Sequence, residues 1–230
     1  AGADHMLVCG QGLREGLFYH EFLRRPAALA DPPLIRRLRE FSVLNLARLY
    51  GYERVHADHV SRLALSLFDQ LAKQHGYGAV ERECLWAASQ LHDIGSVVDY
   101  YDHHKHSAYI ILSAGLPGYS HREIALIALL CLYHRKGQPS VEPYEALFKS
   151  EDENRVKRLA ALLRLAEYLD RSRAQSVTGL RVQRNGRRLR LKVRVRAAAP
   201  GGAHVEVWEA QRNADLFEDA FGRELEIEQD

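Results

Sequence analysis

Two adjacent residues, His92 and Asp93, close an apolar helical stretch, Leu85-Trp-Ala-Ala-Ser-Gln-Leu-His-Asp-Ile-Gly95. His56 and His59 precede them. His103, His104 and His106 follow shortly, then His134, and Glu167 and Asp170 end the series. Neutral imidazole and carboxylate are donors for divalent cations, provided one or two positions stay open for water and substrate. A cation held this way neutralises phosphoryl oxygens and activates water near neutral pH. Metal-assisted hydrolysis of a phosphate ester or anhydride is therefore the expected chemistry. Each residue alone has a plainer explanation. A lone histidine is more often a surface or capping residue, and Glu167 with Asp170 fits a solvated helix face partnered by Arg171 and Arg173. It is the ordered set, carried on apolar helices, that points to a metal.

The elements that must position these residues are helical up to about Ser176. Asp31-Pro-Pro is a helix start, and Leu34, Leu38, Phe41, Leu44 and Leu49 form a stripe ending near Gly51. A second helix is expected from Arg54 to Gly76, with Val60, Leu63, Leu67 and Leu71 on one face. His56 extends that stripe by one turn and is the favoured ligand there, with His59 as the alternative. A third helix, Ala79 to Ile94, stops at Gly95. Because adjacent helical residues are about 100° apart, His92 and Asp93 reach one ion only near a helix end. A fourth helix begins near His104. Ser120-His-Arg-Glu123 opens a fifth, which ends at His134, and Ser150-Glu-Asp-Glu153 opens a sixth that runs to about Arg173. Glu167 and Asp170 share a face of it.

Beyond Ser176 the apolar period falls from 3.6 to 2. Leu189, Leu191, Val193 and Val195 alternate with polar residues, and Asn185-Gly186 is a hairpin turn. Val205 and Val207 read as a third strand, Ala210 to Phe221 as a helix, and Leu225 to Ile227 as a last strand. The expected fold class is mainly α, a helical bundle followed by a small α+β domain. The boundaries are 1–25 for an edge segment too short to be a domain, 26–175 for the helical domain and 176–230 for the α+β domain.

With 230 residues, 47% hydrophobic, the chain can bury a core and is not a disordered tail. Cys9, Cys84 and Cys131 are odd in number and form no CxxC pair, which argues for a reducing cytoplasm. No signal peptide or membrane-length apolar run is visible. The net charge of +2 decides little, but its distribution matters. Arg190, Lys192, Arg194 and Arg196 alternate with aliphatic residues, placing four cations on one face of a strand. A solvated face normally mixes signs, so this stripe is read as a polyanion patch. Without interleaved aromatics it gives no support to base stacking, and specific DNA recognition is not expected. The first helix, apolar around much of its circumference, is read as a partner face, a homodimer being one occupant.

His56, His92-Asp93 and Glu167/Asp170 on a bundle resemble the HD superfamily of metal-dependent phosphohydrolases. More narrowly, the chain resembles the C-terminal half of the exopolyphosphatase and guanosine pentaphosphate phosphatase (Ppx/GppA) family. The matching segments are Gly12-Leu-Arg-Glu-Gly-Leu17, Leu91-His-Asp-Ile-Gly95, His103-His-Lys-His-Ser-Ala-Tyr109, Leu116-Pro-Gly118, Tyr133-His-Arg-Lys136 and Leu162-Leu-Arg-Leu-Ala166. The resemblance implies an HD-type bundle and a bacterial, cytoplasmic hydrolase. It also implies an actin-like N-terminal phosphatase domain, of which 1–25 would be the trailing edge, so the chain is expected to be a fragment or a truncated relative. His56, His92 and Asp93 match the superfamily's first three ligands, and His104 and His134 match positions that hold a second metal. The superfamily's last ligand is usually Asp after Ala, whereas here Ala166 is followed by Glu167, with Asp170 one turn on. The resulting expectation is one or two divalent ions (Mn, Fe, Zn, Ni or Mg) and a substrate that is polyphosphate or a phosphorylated nucleotide such as pppGpp. His92 and Asp93 are the catalytic candidates, Asp93 as proton acceptor, with Lys105, Arg135 and Lys136 binding phosphate. The rival expectation is a non-catalytic half that binds polyphosphate and dimerises.

Overall fold

The computed structural model describes residues 32–186, 188–196 and 202–230. The expected edge segment 1–25 lies outside them, as do Arg187 and Pro200. The helical part comprises α1 (Pro32–Leu49), α2 (Arg54–Gln70), α3 (Ala72–His75), α4 (Ala79–Leu91), α5 (His103–Ala114), α6 (His121–Tyr133) and α7 (Asp152–Tyr168). Short 3-10 turns follow α4 (Ile94–Val97) and α6 (Glu142–Leu147). The C-terminal part is β1 (Val177–Asn185), β2 (Arg188–Val195), α8 (His204–Arg212), α9 (Asp215–Phe221) and β3 (Glu224–Gln229). It is thus a mainly helical bundle followed by a small α+β part.

The bundle forms because α2, α4, α6 and α7 each carry leucine-rich stripes at helical spacing. Leu63 and Leu67, Leu85 and Leu91, Ile127 and Leu130, and Leu159 and Leu163 are all buried together. Burying each such side chain contributes roughly 1.5–3 kcal/mol. From Arg37 onward, α1 buries Ser42, Val43, Leu46 and Ala47, whereas Phe41 and Leu49 of the expected stripe are exposed and Leu38 and Leu44 half-buried. The buried face is thus centred about one residue beyond Phe41. Arg39 ties this helix to its neighbours, its guanidinium reaching Glu83 at 2.9 Å and Glu123 at 2.7 Å.

Four other expectations need correction. The expected second helix breaks at Leu71 into α2 and α3. The sixth starts at Asp152, whose carboxylate accepts from Lys149 N at 2.9 Å in place of a Ser150 cap, and it ends at Tyr168, short of Arg173. Val205 and Val207 lie on α8, not on a strand. Their period-2 pattern is overridden by the buried set Ala203, Glu206 and Ala210, spaced three and four apart. The expected helix Ala210–Phe221 is split at Asn213, whose side-chain amide donates back to Glu209 O at 2.8 Å.

The sheet order is β1-β2-β3. β1 and β2 form the antiparallel hairpin, turning at Gly186 with φ +58°. β3 pairs parallel to β2, reached through α8 and α9. Both sheet edges meet a glutamine amide. Gln70 of α2 donates to Leu180 O and accepts from Val182 N on β1, and Gln211 of α8 does the same with Leu225 O and Ile227 N on β3. These amides tie the sheet to the helices and bring α8 beside α7.

Candidate metal centre

His92 caps the C-terminus of α4, and Asp93 begins a 3-10 turn that is pressed against α5. Ser107 of α5 fastens that turn, its hydroxyl donating to His92 O at 2.6 Å and accepting from Gly95 N at 2.8 Å. Gly95 permits the approach. A Cβ there would lie 2.2 Å from His103 O and 2.4 Å from Ser107 N. His103, at the first position of α5, is thereby set beside Asp93.

Four buried histidines share one arrangement. His92 Nδ1 donates to Ser89 O at 2.8 Å, His103 Nδ1 to Tyr100 O at 2.6 Å and His134 Nδ1 to Cys131 O at 2.7 Å. His56 Nδ1 donates to Asp170 Oδ2 at 2.8 Å. With every Nδ1 engaged outward, all four Nε2 atoms converge. His56 and His92 Nε2 are 3.3 Å apart, and His103 and His134 Nε2 are 3.2 Å apart. Glu167 Oε2 lies 3.0 Å from His56 Nε2 and 3.2 Å from His92 Nε2. Asp93 joins the two halves, with Oδ1 3.2 Å from His103 Nε2 and Oδ2 3.9 Å from His56 Nε2.

Among the described residues two groups of potential ligands result, His56–His92–Asp93 and Asp93–His103–His134. The donor set fits a divalent ion on its chemistry. It is all nitrogen and oxygen, and each imidazole is oriented by a second hydrogen bond, as metal-ligating histidines usually are. The spacing fits too. Two donors roughly 2.0–2.2 Å from one ion, at roughly 90–110°, lie about 3–3.5 Å apart.

The electrostatics follow from these contacts. Burial opposes a charged His56, but hydrogen bonds to Asp170 and Glu167 outweigh it and raise its pKa to about 10. His92 is likewise raised against burial, by Asp93 and Glu167. The Glu167 carboxyl is held well below its usual range, burial notwithstanding, by hydrogen bonds from His56 and His92. Asp93 is lowered too, against burial, chiefly by His92. His134, fully buried and beside His92, is pushed down to about 3. A neutral ring with Nδ1–H fixed on a carbonyl leaves its Nε2 lone pair directed at the cluster.

Not every expected residue arrives. His104 belongs to neither group. Its ring is buried beside Lys136, its Nδ1 lacks a hydrogen-bond partner and its pKa is lowered to about 4, mainly by burial. His103 takes the place expected for His104, because α5 begins one residue earlier and its first residue faces Asp93. His59 turns its Nδ1 to Arg62 at 2.9 Å and keeps its Nε2 3.9 Å from Asp170. Asp170 is fully buried behind His56 and orients it; Glu167 is the carboxylate that faces the converging Nε2 atoms.

A pocket of about 340 Å³ opens over Asp93, His103, His134 and Glu167, and its walls include Arg135, Lys136, Arg171, Arg173 and Arg212. Lys105 is not in its lining and pairs with Asp102 at 3.0 Å. Arg171, Arg173 and Arg212 carry no motif in the sequence. Arg212 sits on α8, which only the tertiary fold brings here. The expected cationic stripe lies on β2 and the residue after it. Parallel pairing sets Glu224, Glu226 and Glu228 alongside it, with Arg190 3.2 Å from Glu226 and Lys192 3.6 Å from Asp230.

The fold and site together define a helical bundle with a convergent histidine–carboxylate cluster beneath a cation-lined pocket. A sequence model described as Ppx/GppA phosphatase, domain III, matches residues 38–201. The chain belongs to this family. No helix among the described residues is long and apolar enough to cross a membrane.

Proposed function

We propose that this chain is an HD-type, metal-dependent phosphohydrolase domain acting on polyphosphate or a phosphorylated nucleotide such as pppGpp. The observation that carries this reading is the convergence of four Nε2 atoms whose partner Nδ1 atoms are all tied to oxygen. His56, His92, Asp93 and Glu167 would hold one divalent ion, and Asp93, His103 and His134 a second. Such ions supply charge neutralisation at phosphoryl oxygens and a water nucleophilic near neutral pH. Asp93, ionised and lining the pocket, would accept a proton. Arg135 and Lys136 on one wall and Arg171 and Arg212 on the other would bind phosphate oxygens. The family's N-terminal phosphatase domain would be the partner, in a cytoplasmic bacterial protein. A polyphosphate-binding, dimerising half without catalysis is the second reading, favoured by the cationic lining alone.

Elemental analysis of the purified chain beside His92→Ala tests the first reading, together with release of phosphate from polyphosphate and from pppGpp. Near-stoichiometric manganese, iron, zinc or nickel, lost with hydrolysis in the variant, is the expected result. No metal in either protein after incubation with these ions, with polyanion binding intact in both, would establish the second reading instead.

A further inference from the structure

The connector 169–176, between α7 and β1, delivers a charged side chain to the cluster. Arg173 has φ +57° and Gln175 φ +50°, a region that L residues other than Asn and Asp seldom occupy. Several contacts hold that conformation. Arg173 N donates to Asp170 O at 2.8 Å, Gln175 N donates to Asp170 Oδ1 at 2.9 Å, and Ser172 Oγ bonds Glu206 of α8. The result points the Arg173 guanidinium inward. One of its amino groups bonds Glu53, just before α2, and the other reaches Asp93 Oδ2 at 2.6 Å. Arg173 also lines the pocket, where its side chain is 38% exposed.

From this geometry we propose that Arg173 is a phosphate-binding residue of the site, anchored by Glu53 and exchanging its Asp93 contact for a phosphoryl oxygen. This rests on the metal-hydrolase reading. Asp93 is shared by both ligand groups, so any cation it holds competes for its lone pairs and repels a guanidinium on the same carboxylate. A phosphoryl group offers that guanidinium oxygens in a comparable geometry, already within the pocket. Glu53 keeps the arm in place during the exchange. A purely structural strut between α2 and the connector would require neither the exposure nor the position in the pocket wall.

The test uses Arg173→Gln and Arg173→Lys beside wild type, with inorganic tripolyphosphate as probe. Bound metal, thermal unfolding, calorimetric Kd for tripolyphosphate, and kcat and KM on the same compound are measured. The expected result for Arg173→Gln is metal content within about twofold of wild type, with Kd and KM raised on the order of tenfold or more. Arg173→Lys should restore part of this, since it keeps the charge and loses the fork. If Arg173→Gln does not fold, Arg173→Lys decides: weaker tripolyphosphate binding at unchanged metal content supports the proposal, and unchanged binding overturns it. Unchanged Kd in Arg173→Gln, or a loss of binding that tracks loss of metal, also overturns it. So does a wild type that binds no tripolyphosphate. A wild type without metal whose tripolyphosphate binding still depends on Arg173 would sink the hydrolase reading and leave Arg173 as a phosphate ligand.

Discussion

Asp170 shows how much one carboxylate can settle. Its two oxygens accept from His56 Nδ1 at 2.8 Å, from Gln175 N at 2.9 Å and, more distantly, from Gln175 Nε2 at 3.4 Å. Asp170→Asn has nearly the same shape but must present its amide N–H₂ to one of these donors. Either His56 loses its orientation or the connector loses its hold. The expected cost is about 1–3 kcal/mol of stability for the unsatisfied buried donor. Metal affinity should fall about 10–100-fold, as it does when a ligand's supporting contact is removed. Urea unfolding and a competitive metal titration check the two separately; unchanged affinity would show that His56 needs no such support. The sequence placed Glu167 and Asp170 on one face as interchangeable ligand candidates. Their difference lies in depth, because Asp170 sits behind the His56 ring and Glu167 in front, and helical spacing carries no information about depth. The same limit explains His103 and His104. A run of histidines at a helix start is legible as a ligand source, but which one faces inward is set by where the helix begins and by how closely Gly95 lets α5 approach.

Elements place these residues through a few close contacts. Where α5 crosses the turn after α4, Gly95→Ala would drive a methyl into backbone atoms, not into a flexible side chain. The expected loss is about 1–3 kcal/mol or more of stability, together with weaker metal binding because His103 is pushed from Asp93. Chemical denaturation and metal titration read both, and a variant as stable as wild type would contradict the crowding. At the α2–α3 corner, His75 gives a pH-dependent prediction. Its Nε2–H donates to Phe68 O at 2.8 Å and its Nδ1 accepts from Tyr77 N at 2.9 Å, so the fold requires the neutral ring. Burial lowers its pKa below the ordinary value. As pH falls below about 6.5, the unfolded chain therefore takes up the proton first. The contribution is fully present above that pH and is lost as pH drops through the lower folded value. Between about pH 7.5 and pH 5, wild type should lose more stability than His75→Gln, measured as the difference between their urea midpoints. Equal losses would show that His75 is free to protonate in the folded state.

The whole molecule explains what the chain pattern could not. Helical stripes such as Leu63–Leu67 and the hairpin at Asn185-Gly186 were legible because they are local periodicities. The parallel addition of β3 and the delivery of Arg212 to the pocket depend on a crossover, and no local period records it. The cationic stripe on β2 shows the consequence. Read alone, Arg190 and Lys192 look like half of a polyanion site. In the folded molecule, acids of β3 and the C-terminus lie beside them, at 3.2 Å from Arg190 and 3.6 Å from Lys192. Partly exposed pairs of this kind are worth only about 0–1 kcal/mol each, so they add little stability, but they do offset the charge of these two residues. The pocket cations, by contrast, come from the bend after α6, the connector and α8 and converge on one opening. The double variant Arg190→Gln, Lys192→Gln should therefore leave the Kd for a long-chain polyphosphate within about twofold of wild type. The double variant Arg135→Gln, Arg212→Gln should raise it on the order of tenfold and flatten its dependence on salt, because fewer counterions are then released. Titrations at two ionic strengths compare the pairs directly. If the stripe variant lost as much affinity as the pocket variant, the β3 acids would not be screening the stripe, and the face would be a second binding surface.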